Sequence, residues 1–374
     1  MVARTFGWRP WAIVGFVHRW SSLISTLFLL LLCLSGMPLV FHHEIAELDG
    51  SAVEVPKLPA DHPRASFGKV LTAARAQMPG HYVQFISREI DDDRFWYVSL
   101  GESPTSDYMA NKVVAIDART ARPLPMGDPT SGFMWWMVRL HIDLFAGFPG
   151  KLLLGFMALM LVLSLLSGAL LYGPFMRKLP FGTVRRERGT RIQWLDLHNL
   201  VGIVTAGWLM VVGITGIINA WGDLLIGRWQ AEVLAPLTSV NREQTLVTQP
   251  VSLDIASSAV KHAVQGMSES LIAFPGSSLA SSQHFVFFMA GDTPLTERLR
   301  LPVLVDARSA EVVHAAPPPW HLATLMVSQP LHFGDYGGLP LKLLWALFDI
   351  AAIVLLGSGV YLWFRRGRGR EPRE

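Results

Sequence analysis

The sequence predicts a membrane-embedded α-helical protein: four transmembrane helices in two parallel repeats, with two small α+β domains outside the bilayer. Three observations predict it. The 374 residues are 51% hydrophobic and only 16% charged, which is not a soluble composition. Four apolar runs can each cross a hydrocarbon core of roughly 30 Å, which takes about 20 helical residues at about 1.5 Å apiece. The second half of the chain also repeats motifs of the first in register. With 32 Lys+Arg against 29 Asp+Glu, a net charge of +3, intrinsic disorder and nucleic-acid binding are excluded.

Residues 1–22 read as a cytoplasmic N-terminus carrying Arg4, Arg9 and Arg19. Residues 23–41 are the first span. Its apolar run is longer than a signal-peptide core and ends in MPLVFHHE without a small-x-small cleavage site, so it reads as an uncleaved anchor. Residues 42–135 form the first outer domain, with thirteen acidic against nine basic residues. Residues 136–172 start as a helix outside the bilayer and continue into span two. The loop 173–194 holds Arg177, Lys178, Arg185, Arg186, Arg188 and Arg191 against one acid. Residues 195–221 are span three, 222–331 the second outer domain, 332–364 a turn and span four, and 365–374 a tail with five arginines. By the positive-inside rule the two termini and the basic loop are cytoplasmic. Trp135, Trp136, Trp320 and Trp345 fall near the outer boundary, where aromatic belts form.

Each outer segment opens on apolar residues at helical spacing, Ser66–Met78 and Leu253–Met267. Strand candidates follow at 81–87, 94–100 and 112–118, and again at 270–276, 284–290 and 302–307. The acidic run Glu89–Asp93 reads as a solvated hairpin turn. Neither segment contains a Ser-His-Asp, Cys-His or two-carboxylate constellation.

The repeat aligns four histidines. RLHIDLFAGFPGKLLL (Arg139–Leu154) matches PLHFGDYGGLPLKLLW (Pro330–Trp345), which sets His141 over His332; Gly168 and Gly359 each follow 27 residues later. His18 precedes Ser35-Gly36 by 17 and 18, as His198 precedes Thr215-Gly216. VVAIDARTARPL (Val113–Leu124) likewise matches LPVLVDARSAEVV (Leu301–Val313). Two copies of one orientation are related by an axis along the membrane normal, so His18 faces His198 near the inner surface and His141 faces His332 near the outer one. Two neutral imidazoles from two helices suit the two faces of one haem, and two pairs suit two stacked haems. The chain has one cysteine, Cys33, which excludes a disulfide, a Cys-x-x-Cys-His haem attachment and an iron–sulfur or zinc-knuckle site. His42 and His43, at the end of span one, are rival ligands for the outer haem. Arg19, Arg139, Arg191 and Asn199 lie beside the histidines as candidate propionate partners. The glycines read either as small residues for close helix packing or as room for a flat macrocycle.

These motifs, with VHRW (Val17–Trp20) and WLDLHNLVG (Trp194–Gly202), carry a resemblance over nearly the whole chain: it resembles the PepSY-associated transmembrane family of bacterial inner-membrane proteins. Among members it looks like the iron-uptake branch, the ferrisiderophore reductases of the FoxB type. The resemblance implies two PepSY-like periplasmic domains and two b-type haems on His18, His141, His198 and His332. It also implies an oxidoreductase that reduces ferric siderophore iron in the periplasm and releases Fe(II).

No Gly-x-Gly-x-x-Gly follows a strand and no cytoplasmic segment is large enough for a flavin or nicotinamide domain. The expected electron donor is therefore a quinol or a separate protein. A bulky ferric complex must react at an exposed edge beneath the outer domains, so Trp135, Trp136, Arg139, Trp320 and Gln329 are its candidate floor. Two other readings compete: a quinol-oxidising dihaem cytochrome without siderophore specificity, and a non-enzymatic PepSY sensory or inhibitory membrane protein.

Overall fold

The computed structural model describes residues 10–59, 61–90, 92–176, 179–238, 245–293, 295–334 and 336–367. Arg4, Arg9, Arg177, Lys178 and the tail arginines Arg368, Arg370 and Arg373, all counted above for orientation, lie outside the described residues, as does Asp91 of the acidic run. The elements in chain order are α1 (Pro10–Val40), α2 (His42–Asp49), α3 (Phe67–Gln77), β1 (Tyr82–Ser87), β2 (Phe95–Gly101), β3 (Lys112–Asp117) and β4 (Pro123–Leu124). There follow α4 (Gly132–Ile142), α5 (Phe148–Met176), α6 (Thr190–Ala220), α7 (Gly222–Trp229), α8 (Ala235–Thr238) and α9 (Leu253–Ala263). The last are β5 (Ser268–Ala273), β6 (His284–Ala290), β7 (Leu301–Asp306), β8 (Val312–Ala315), α10 (Trp320–Phe333) and α11 (Gly338–Gly367). They divide into a helical unit, built from Met1–His42, Trp136–Trp221 and Ser328–Glu374, and a sheet unit, built from His43–Trp135 and Gly222–Val327.

In the helical unit four helices are long and apolar enough to cross a membrane: Pro10–Val40, Phe148–Pro174, Thr190–Ala220 and Gly338–Arg365. Each overlaps the corresponding expected span; the first and third end at Val40 and Ala220, one residue before the expected limits, and the first starts at Pro10 rather than near residue 23, because His18, Arg19 and Ser21 continue the same helix. The helices pack in the cyclic order α1, α5, α6, α11 and back to α1. Their polarity is inverted relative to a soluble bundle. Leu27, Leu34, Leu170 and Leu347 are exposed, while Ser21, Ser25, Ser35, Ser164, Thr205, Thr215 and Ser358 are buried. A buried hydroxyl is tolerated because it donates back to its own helix, as Ser25 does to Ser21 O at 2.9 Å and Thr205 to Val201 O at 2.8 Å. Small side chains then let the helices approach closely. Arg185, read above as an orienting charge, also pins the loop before α6: its Nε and Nη2 donate to the buried Asp196 carboxylate at 2.9 and 2.7 Å.

The expected continuous run from residue 136 into span two is broken. Helix α4 ends at Ile142, and Leu144, Phe145 and Gly147 take positive φ of 54°, 59° and 61°. The Asp143 carboxylate holds this turn by accepting from Phe145 N at 3.0 Å. The second copy breaks likewise at Gly334 (φ 69°), on which the Trp345 indole lies; its Nε1 donates to His332 O at 3.2 Å. His141 and His332 therefore sit on α4 and α10, short helices separate from the spans.

In the sheet unit the two segments, expected as two small domains, share one sheet. Its eight antiparallel strands run β4-β3-β2-β1-β5-β6-β7-β8. The join is the β1–β5 pair, with Ile86 opposite Ile272, closed at its ends by Arg88 N to Ser270 O at 3.0 Å and Phe274 N to Gln84 O at 2.9 Å. Each four-stranded sheet alone would leave an edge of unpaired N–H and C=O groups, and pairing the two edges satisfies both. Helices α3 and α9 lie against one face. A single core spans both halves, including Val70, Ile86, Val98, Ile116, Val260, Ile272, Phe285, Phe287 and Val303.

Both Asp-Ala-Arg motifs form the same turn. The Asp117 carboxylate accepts from the N–H of Arg119 and Thr120, that of Asp306 from Arg308 and Ser309, and Ala121 and Ala310 take φ of 56° and 62°. Burial works to raise each carboxyl, and these N–H donors overcome it, holding both below the ordinary carboxylate range.

One contact ties α3 and α9, and so the two halves of the sheet unit, together at a helix terminus. Asp254, in the first turn of α9, accepts from the α3 amides Phe67 N at 2.6 Å and Gly68 N at 2.9 Å. Asp254→Ala should lose about 1–2 kcal/mol of local stability. Amide exchange at Phe67 and Gly68 in the full chain is then expected to speed up roughly tenfold; unchanged exchange would assign the cap to Ser66 alone.

Candidate functional site

In the helical unit each of the four repeat-aligned histidines lies against a glycine of a neighbouring helix. A Cβ at Gly36 in α1 would stand 2.9 Å from His141 Cε1, and one at Gly216 in α6 would stand 3.4 Å from His332 Cε1. A Cβ at Gly168 in α5 would meet His18 Cε1 at 3.0 Å, and one at Gly359 in α11 would meet His198 Cε1 at 3.4 Å. In the structure each of these glycines makes room for an imidazole ring of another helix.

The Nδ1 atom of each ring is engaged by the same neighbouring helix. His141 meets Ser35 Oγ at 3.1 Å, His332 meets Thr215 Oγ1 at 3.1 Å, and His198 meets Ser358 Oγ at 2.8 Å. These hydroxyls already donate their single proton to helix carbonyls: Ser35 to Leu31 O at 2.8 Å, Thr215 to Val211 O at 2.7 Å and Ser358 to Leu355 O at 2.7 Å. What they offer the imidazole is a lone pair, so Nδ1 carries the hydrogen. For His18 the acceptor is a carbonyl, Ser164 O at 2.9 Å, with the same consequence. All four rings therefore hold the tautomer whose Nε2 lone pair is available, and no hydrogen bond engages Nε2 among the described residues. Burial pushes the His141 and His332 imidazoles well below their ordinary pKa, which keeps both neutral at physiological pH.

The His141 and His332 ring centroids are 6.1 Å apart, with the planes at 59°. Two metal–nitrogen bonds of about 2 Å, plus about 1 Å from each nitrogen to its ring centre, give about 6 Å for two imidazoles sharing one metal. His18 on α1 and His198 on α6 lie within electrostatic reach of each other. Among the described residues no group of three His, Cys, Asp or Glu could hold a metal ion. The two-imidazole arrangement is thus the one these residues can offer, and it fits a haem, whose other four ligands come from its own ring.

The remaining sequence-derived candidates are placed as follows. His42 and His43 are exposed on α2, and His42 Nδ1 donates to Leu39 O of the preceding turn at 2.9 Å. Arg19 is half-buried beside His18 and has no ion pair among the described residues. The Arg139 guanidinium pairs with the buried Asp143 carboxylate at 3.1 Å and lies 5.5 Å from the centre of the Phe145 ring, so its charge is already balanced. Arg191 is exposed and Asn199 half-buried. Trp136 is exposed and packs on Phe145 at 4.7 Å; Gln329 is exposed, and both belong to the helical unit. Trp135 and Trp320 belong to the sheet unit, where Trp320 is exposed with Arg228 5.6 Å from its ring centre.

Sequence reasoning missed two features. One is the role of Ser35, Thr215 and Ser358 as Nδ1 acceptors, although the first two had been aligned. The other is Asp349, an acid inside α11 that lies near Cys33 of α1 and whose Oδ2 is buried without a partner among the described residues. An acid within an apolar span is itself the signal that could have found it.

The model of the PepSY-associated TM region matches residues 16–366, which takes in all four histidines. The chain belongs to that family. It is a multi-pass membrane protein with an additional antiparallel sheet unit. It is also 31% identical over 252 residues to the uncharacterized protein PA4219 of Pseudomonas aeruginosa, a match covering 62% of this chain and 63% of that protein. The chain therefore matches less than two thirds of that relative's length.

Proposed function

We propose that this PepSY-associated protein is a dihaem b-type oxidoreductase of the bacterial inner membrane that reduces ferric siderophore iron in the periplasm and releases Fe(II). The observation that carries the reading is the fourfold recurrence of one arrangement: a histidine seated on a glycine, Nδ1–H spent on the neighbouring helix, and Nε2 left as a donor. His141 with His332 would hold one haem and His18 with His198 the other, with Arg19 as the available propionate partner. When bound, haem supplies one-electron chemistry at iron. The chain's own part is to hold neutral imidazoles in a fixed tautomer, exclude water from them and keep the surrounding hydroxyls internally satisfied. The ferric complex is the substrate. Oxygen-donor chelators hold hard Fe(III) more tightly than Fe(II), so one electron weakens the complex without acid–base catalysis. The donor in this reading is a quinol or a separate protein, the two-copy architecture makes the pairs stack along the membrane normal, and lipids surround the exposed leucines.

The test is made on the purified full chain. It should be red, with a Soret band that shifts on dithionite reduction and a b-type pyridine haemochrome at about two haems per chain. It should also form Fe(II), trapped by a ferrous chelator, from a ferric siderophore. A colourless preparation from haem-replete cells would overturn the reading.

The glycine contacts add a graded expectation. Gly36→Ala and Gly168→Ala place a Cβ at 2.9 and 3.0 Å from a ring carbon, whereas Gly216→Ala and Gly359→Ala place one at 3.4 Å. The first pair should each lose a substantial part of one haem, and the second pair should stay near wild type when haem is counted per chain.

A further inference from the structure

The sheet unit gathers arginines at the seam between its two halves. Arg88 directly follows β1; its backbone N–H donates to Ser270 O of β5 at 3.0 Å and its Nη2 to Ser268 Oγ at 2.9 Å. Ser268 is paired with Ala290 at the end of β6, and the neighbouring Met289 is paired with Leu301, the first residue of β7. Arg300 directly precedes that residue, so strand register brings it to the same end of the sheet as Arg88. The Nε atoms of Arg88 and Arg300 are both buried with no hydrogen-bond partner, and neither residue has an ion pair among the described residues. Burial, followed by the like charges of Arg88 and Arg298, pushes Arg300 below the ordinary guanidinium range; Glu297 opposes this and is the weakest of the four influences. Like charges thus crowd Arg300 where water is partly excluded, which is costly unless something negative completes the pair of Arg88 and Arg300.

We propose that Arg88 and Arg300 form a binding site for a small oxyanion, a phosphate or carboxylate group. The guanidinium fork matches two oxygens of such a group, and unpartnered N–H donors are what a charge-assisted bond takes up. Both side chains are half-buried, so the site is open to a ligand from solution. The oxyanion comes either from a soluble phosphate or polycarboxylate or from a phospholipid headgroup.

Isothermal titration of the full chain in neutral detergent at low salt, with inorganic phosphate and with citrate, tests the site. One saturable site per chain is expected for at least one of these anions. Arg88→Gln and Arg300→Gln should each weaken it at least about tenfold, since a hydrogen bond to a charged group is worth about 1.5–3 kcal/mol. Arg300→Lys should fall between, keeping the charge and losing the fork, and Arg122→Gln, an exposed arginine of the same unit, should bind like wild type. To separate loss of the site from loss of the fold, melting is followed without anion: Arg300→Gln should melt no lower than wild type, because it removes a crowded charge. If lipid phosphorus is retained through delipidation by wild type and lost in both glutamine variants, the oxyanion is a phospholipid headgroup. The proposal is overturned if neither anion binds at millimolar concentration and lipid retention is unchanged, or if binding survives both glutamine substitutions.

Discussion

Protein carrying His332→Ala is expected to hold about one haem per chain instead of about two, and to reduce a ferric siderophore no faster than the background. The substitution removes one of the two imidazoles 6.1 Å apart and leaves the Thr215 hydroxyl, whose proton is spent on Val211, without its donor. A single remaining imidazole, His141, cannot complete a site that needs a ligand on each face. His141→Ala should act the same way. Thr215→Val separates the ligand from its support: the imidazole stays but its tautomer is no longer fixed, and a loss of about 10–100-fold in affinity is the usual size of such an effect. Haem titration of the depleted protein measures it. Retention of the second haem in His332→Ala, with its loss in His42→Ala or His43→Ala, would transfer the ligand role to α2.

His18→Ala and His198→Ala should each delete the other haem and leave the His141–His332 site filled, because the two pairs rest on different supports. His18 is held by Ser164 O and seated on Gly168, His198 by Ser358 and seated on Gly359; among the described residues none of these is hydrogen-bonded to His141 or His332. Haem content should fall from about two to about one per chain, with a low-spin spectrum in what remains. The double variant His18→Ala/His198→Ala should match either single one, since one missing ligand already empties the site. A stoichiometry that stays at about two in either single variant would mean that this pair is wrongly drawn. The double variant His18→Ala/His332→Ala should be colourless.

Composition, span lengths and the repeated motifs were legible without coordinates because each is a one-dimensional property. The bilayer demands long apolar helices whose backbone bonds are internal, and that requirement is written as a run of residues. A fixed 27-residue spacing from His141 to Gly168 and from His332 to Gly359 likewise survives as a register. The helix-then-strands order of each segment of the sheet unit and both Asp-Ala-Arg turns followed from local periodicity and turn chemistry. Other features depended on which residues meet across elements. The turn at Asp143–Gly147 divides an apolar stretch that reads as continuous, because it is made by positive φ at Leu144 and Phe145, residues with no local preference for it. The fusion of two expected domains is decided at the β1–β5 edge, where backbone groups pair with no side-chain pattern to announce it. The sequence could align glycines with histidines, yet only tertiary packing set each ring on a glycine of another helix and each Nδ1 against a hydroxyl or carbonyl whose hydrogen was already committed. That packing, rather than the presence of histidine, decides which nitrogen is free, since the imidazole tautomer is fixed by the bond its other nitrogen makes.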